Sequence, residues 1–193
     1  MSSRASILEK IRNNKPELVE LPDLSIFTHN VTTENLIDTF IEVSTTNAST
    51  VVNLVNTETS LELFLAKFIA ENFGEHSKVY NTLNGNDIPE IDFKTTHVDV
   101  FVALPKIAVA ENGCMWITNE QLPQRISAFG SENTLFIVDH KNIVPTMHQA
   151  YSKVKENIGE YGVFIAGPSK TADIEQSLVI GAQGAVSNTI ILI

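Results

Sequence analysis

At 193 residues with 43% hydrophobic side chains, the chain is long enough to bury a core and too apolar to stay disordered. Its 23 acidic residues against 13 basic ones give a formal net charge of −10, which repels polyanions and argues against a nucleic-acid partner. The lone Cys114 excludes an internal disulfide and a four-thiolate iron–sulfur cluster built from this chain alone, so oxidation chemistry must lean on a partner or a bound small molecule.

In chain order, Met1-Ser2-Ser3-Arg4-Ala5-Ser6 lacks the continuous apolar region of a signal peptide, and the longest apolar runs are strand-sized. The expectation is a cytoplasmic chain with no membrane span. Residues 3–13 form an amphipathic pattern with Ile7, Leu8 and Ile11 on one side, followed by Pro16 and Pro22. Residues 1–30 are therefore expected to be an arm laid over the domain or over a second copy, and 31–193 to be one domain. Val31 and Leu36 flank Thr32 as a hydrophobic staple, predicting a helix start there with Phe40 turned inward. A strand is expected over 50–55. Thr59 and Glu62 have capping-box spacing ahead of Leu61, Phe64, Leu65 and Phe68, and Gly74 marks the helix stop. With a short strand over 78–81, this order suggests a parallel strand–helix–strand unit.

After a polar loop over 81–94, strands are expected over 97–104, 107–110 and 114–118, the last two joined by Asn112-Gly113 as a type I′ hairpin with positive φ at both turn residues. Cys114 and Trp116 in this hairpin read as packed side chains. Further strands are expected over 134–138, 161–166 and 189–193, and a helix from Pro145 to Gly159. Strands alternating with helices at both ends, around a hairpin section, predict a three-layer α/β/α domain with a mixed sheet.

One stretch points to chemistry. Gly167-Pro168-Ser169-Lys170-Thr171-Ala172-Asp173-Ile174-Glu175 follows an apolar strand and precedes Gly181-Ala182-Gln183-Gly184-Ala185. If Gly167 to Thr171 opens a helix, its unbonded amides make an anion cradle with Asp173 in the first turn. The plainer reading is a capped helix start. The turn follows the carboxyl end of a strand, where ligands bind in open α/β sheets. The histidines at 29, 76, 97, 140 and 148 have no short metal-binding spacing, so no metal site is expected. Dinucleotide and P-loop fingerprints are missing, and Ser169 is not in a nucleophile elbow.

The pattern G-P-S-x-T-A-D-I-E, a spacer, and G-x-x-G before a final apolar strand resembles the lactate-utilisation (LUD) domain family, in particular the short C-type subunits of bacterial lactate-utilisation operons. Ile107-Ala108-Val109-Ala110-Glu111-Asn112-Gly113 is similar to the A-x-A-E-T-G hairpin of that family. Two departures stand out: Asn112 replaces a threonine, and Gln183 lies where many relatives have a histidine, so proton transfer by that ring does not carry over. The resemblance implies a fold like that of the ribose-phosphate isomerase and coenzyme-A-transferase superfamily. It also implies a role in oxidising L-lactate to pyruvate beside separate subunits that carry iron–sulfur clusters, with no cofactor in this chain.

On this reading Glu111, Asp173 and Glu175 are the candidate catalytic carboxylates, and their repulsion, if they converge, would raise one pKa. Asn112, Gly113, Gly167, Ser169, Lys170, Thr171, Gly181, Gln183 and Gly184 are the candidate ligand-binding residues. Helix N-terminal placement of Asp173 and Glu175, and capping of the hairpin by Glu111, remain the structural alternatives. Two other functions stay open: a self-sufficient small-molecule enzyme or binder of isomerase or transferase type, taking a phosphate, acyl-thioester (acyl-CoA) or carboxylate ligand, and a non-catalytic module that assembles through residues 1–30, as a homo-oligomer or with partners.

Overall fold

A computed structural model describes residues 3–17, 19–20, 22, 35–83, 90–122, 124–154, 161–172 and 178–193. The chain divides into two compact units, Met1–Asn30 and Val31–Ile193. The first contains helix α1 (Ser3–Asn13), with Lys10 and Arg12 in the last turn where the helix dipole favours cations.

The second unit is a mixed α/β domain built on a wholly parallel five-stranded sheet. Its strands are β1 (Ser49–Asn53), β2 (Val79–Asn81), β3 (Val100–Ala103), β6 (Asn133–Val138) and β11 (Ser187–Leu192), in the order β1-β11-β6-β3-β2. The central strands read as near-continuous apolar runs because parallel strands are covered on both faces. Alternation divides those runs. Phe101, Ala103, Phe136, Val138, Ile190 and Leu192 join one core cluster, and Val100, Val102, Leu135, Ile137 and Ile191 join the other. The strand–helix–strand order at the start of the domain gives parallel strands as expected, yet β1 and β2 end up on opposite edges of the sheet.

Helix α3 (Leu61–Phe73) covers the second cluster with Leu65, Phe64 and Phe68. Helix α2 (Leu36–Thr46) supplies Phe40 to the first. The first cluster is completed by a separate four-stranded sheet, β7-β4-β5-β8, made of β4 (Ile107–Val109), β5 (Met115–Thr118), β7 (Ile143–Val144) and β8 (Gly162–Ile165). Here β4 pairs antiparallel with β5 and parallel with β7, so this is the mixed sheet of the domain. Its outer face, with Ile107, Val109, Cys114 and Val144, packs on Ala150 of helix α5 (Met147–Val154). A short helix α4 (Ser127–Gly130) precedes β6.

Three boundaries differ from expectation. Asn35 has φ +60, so α2 starts at Leu36, after the staple. Thr32 lies outside the described residues. The N-cap of α3 is Ser60 with no side-chain cap bond, so the Thr59/Glu62 box is displaced by one residue. Helix α5 begins at Met147, and the expected stop at Gly159 falls outside the described residues.

Trp116 is held by its neighbours across β5 and β8. It stands opposite Phe164, with ring centroids 4.5 Å apart, and lies over Gly162, whose absent Cβ would sit 2.1 Å from the indole. Gly162→Ala should cost about 1–3 kcal/mol in urea unfolding through overpacking. The cost should shrink in a Trp116→Leu background, and additive effects of the two changes would show that the ring is not the obstacle.

Candidate functional site

Both motif blocks meet at one residue, Asn47, directly after α2. Its backbone amide closes that helix on Val43 O at 2.9 Å. Its side-chain Nδ2 donates to Asn112 O at 2.7 Å, which fixes the β4–β5 turn. Its carbonyl oxygen lies 2.3 Å from where a Cβ on Gly167 would be, and its amide 3.0 Å from a Cβ on Gly113. Gly113 and Gly167 have φ +66 and +71. Each therefore needs glycine twice over, for backbone conformation and for the close approach of Asn47.

The hairpin turn is not type I′. Asn112 is not among the positive-φ residues, and Gly113 alone provides that geometry. Asn112 Oδ1 instead accepts from Cys114 N at 3.1 Å, an Asx turn that spares the backbone a second left-handed residue. Glu111 is exposed, and its carboxylate accepts from Met147 N at 2.9 Å. It thus caps the start of α5, not the hairpin amides, while its own amide donates to Pro145 O.

The expected helix at Gly167 does not form. Lys170–Ala172 is strand β9, paired antiparallel with β10 (Leu178–Ile180), Lys170 opposite Ile180 and Thr171 opposite Val179. The apolar run Leu178-Val179-Ile180, two of its residues β-branched, offers a strand partner, and pairing satisfies backbone groups that a helix start would leave open. Ser169 N donates to Ala185 O, and Ser169 O accepts from Gly181 N, both at 2.9 Å. The helix-N-terminus anion cradle is therefore ruled out at this turn. Gly181, at φ +81 and against Val186, brings the chain back so that Gly184 lies beside Ser169.

What the turn does build is a pocket of about 250 Å³. Gly167, Ser169, Gln183 and Gly184 line it together with Phe129, Thr134, Phe164 and Ala185. Lys170 and Thr171 continue into β9 beside it, and Gly181 closes its loop. Thr134 in the pocket wall belongs to a buried polar chain. Ser49 Oγ donates to Asn188 Oδ1 (2.8 Å), Asn188 Nδ2 donates to Thr134 Oγ1 (2.8 Å), and Thr134 Oγ1 donates to Ser187 O (3.2 Å). The pocket lies past the carboxyl end of β8 as expected, yet it faces the amino ends of β6 and β11 in the parallel sheet. Asn112 and Gly113 reach it only through Asn47. Asp173 and Glu175 lie outside the described residues. Reasoning from sequence missed Asn47, Thr134 and Asn188; for the last two the available signal was a polar residue near the start of an otherwise apolar strand.

Fold and site together define an α/β domain whose two glycine turns, at Gly113 and Gly167, pack against one asparagine. The LUD domain model matches residues 25–193, and the chain belongs to that family. Curated relatives include Lactate utilization protein C of Anoxybacillus flavithermus, 28% identical over 81% of this chain and 69% of its own length, and that of Bacillus subtilis, 32% identical over 52% and 44%. Lactate utilization protein C 1 of Bacillus mycoides is 32% identical over 49% of this chain, and the match spans 43% of the relative. A crystal structure of a DUF162 family protein from Deinococcus radiodurans shares the fold, with TM-score 0.62 and 12% identity, covering 84% of this chain and 98% of that one. Among the described residues no helix is long and apolar enough to cross a membrane.

Gly167→Ala should destabilise the domain by about 1–3 kcal/mol, since it adds both backbone strain and a clash with Asn47 O. Thermal unfolding measures this, and a neutral result would mean that Asn47 is free to move. Burial pushes the Cys114 thiol from the ordinary 9.0 up to about 11, with the Glu111 charge adding to it against the hydrogen bond from Asn112. The native thiol is thus neutral and resists iodoacetamide at mildly alkaline pH until the chain unfolds. Because its folded value is the higher one, its contribution to stability is complete below pH 9 and declines as pH rises through about 11. Comparing alkaline unfolding of the native chain with Cys114→Ala tests that sign.

Proposed function

We propose that this chain works in L-lactate utilisation, as a subunit of a system that oxidises lactate to pyruvate with iron–sulfur clusters on separate partner subunits. The observation that carries the reading is the joining, on Asn47, of the two blocks by which the chain resembles the family, in a domain whose curated relatives are lactate utilization C proteins. With one buried thiol, Cys114, the chain has no cysteine set for a cluster of its own, which supports the assignment of electron transfer to partners.

The pocket behind Gly167 supports a small ligand as part of this role. Its polar groups, Ser169, Gln183 and the Thr134 hydroxyl, are neutral hydrogen-bonding groups, and Phe129 and Phe164 supply apolar wall. That combination suits a compact hydroxy- or oxo-carboxylate held by hydroxyl and amide dipoles. Asp173 and Glu175, which fall between β9 and β10 in the sequence, are the proposed catalytic acids, whereas Glu111 caps α5.

Deleting the gene from its source organism should abolish or sharply slow growth on L-lactate as sole carbon source and leave growth on glucose unchanged. A copy with Gly167→Val should not restore growth, whereas the unaltered gene should. Unimpaired growth on lactate without the gene, in a strain with no second copy, would overturn the proposal.

A further inference from the structure

We propose that His97, Asp99 and Glu132 form a binding site for a divalent transition-metal ion at the amino edge of the parallel sheet. Asp99 directly precedes β3 and Glu132 directly precedes β6. The two strands pair with Val100 opposite Asn133, so the sheet register itself sets the carboxylates side by side. Backbone bonds tie this edge down: Asn133 N donates to Asp99 O and Glu132 N to Val98 O, both at 2.9 Å. Lys78 N donates to Asp99 Oδ2 at 2.6 Å, which orients the carboxylate and leaves Oδ1 turned to the cluster.

His97 Nε2 lies 3.0 Å from Asp99 Oδ1 and 3.1 Å from Glu132 Oε2, and the three ligand atoms are all within 4.8 Å of one another. One nitrogen facing two carboxylate oxygens is the arrangement that a cation seated among the three atoms satisfies. A proton on Nε2 points well at one oxygen and not at both. A metal ion bonded at about 2.1 Å to each atom places neighbouring ligands roughly 3.0 Å apart in octahedral geometry, matching both separations. The ring then binds through Nε2.

One imidazole with two carboxylates suits zinc, manganese or ferrous ions over calcium, whose sites are all oxygen. The side chains are 61%, 30% and 49% exposed, which leaves the outer face open for water ligands and for entry of the ion. A backbone bond links the site's edge to the segment that forms the pocket wall. Glu132 O accepts from Val186 N at 2.7 Å, and the preceding Ala185 is in the pocket wall. Sequence spacing concealed the set because His97 and Glu132 are 35 residues apart and only strand pairing joins them.

The test is calorimetric titration of untagged, chelator-stripped protein with zinc chloride and with manganese chloride. The expected result is saturable binding of one ion per chain, weakened about tenfold or more in both His97→Ala and Glu132→Gln. Both altered side chains are exposed at the surface, and circular dichroism checks that the variants keep their fold. A second reading on the unsubstituted protein needs no variant: manganese should selectively broaden the His97 ring signals in NMR spectra. Absence of saturable binding, equal binding in wild type and both variants, or broadening that spares His97 would each overturn the site.

Discussion

The domain depends on how closely the chain can pass Asn47. Three polar groups of this one residue are each committed: the amide to α2, the side chain to the β4–β5 turn, and the carbonyl to the face of Gly167. A helix end, a hairpin of the second sheet and the turn after β8 are therefore positioned against a common point. No side chain fits at either glycine without moving the asparagine, so the spacing between the two sheets and the placing of the pocket are set together.

The pocket follows from that spacing. Thr134 in its wall belongs to the line of hydroxyls and amides near the starts of β1, β6 and β11. Such groups are tolerated in burial because each finds a partner in the next strand. Through Thr134 they also give the pocket a hydroxyl that is already ordered. The ribbon of β9 and β10 extends from the same turn, and the Ser169 bonds to Ala185 and Gly181 keep it attached to the pocket wall.

Much of this architecture was legible because apolar runs speak for themselves. The strands β3, β6 and β11 stand out as fully buried sequences, and α3 announces its inward face and its stop at Gly74. The two glycine turns were visible too, since small residues at fixed spacing need a steric reason. Other features were hidden for physical reasons. Hydroxyls, glycine and proline open helices and join strands alike, so the Gly167 stretch suggested a helix until Leu178–Ile180 proved to be its partner. Strand β7 has only Ile143 and Val144, too short for any periodicity, and without it the second sheet could not be read as separate. Asn47, Thr134 and Asn188 are single polar residues whose importance exists only in three dimensions.

The place of β11 in the sheet shapes how the domain comes into being. It lies between β1 and β6, and Ser49 bonds with Asn188 across 139 residues of chain. A ribosome must therefore deliver nearly the whole domain before β1 has any strand beside it. Until then its edge and the unfilled slot next to β6 offer open backbone to any passing segment. Closing so long a loop makes folding slow and its intermediates sticky. That interval, more than the finished sheet, is where the domain is most open to wrong pairing.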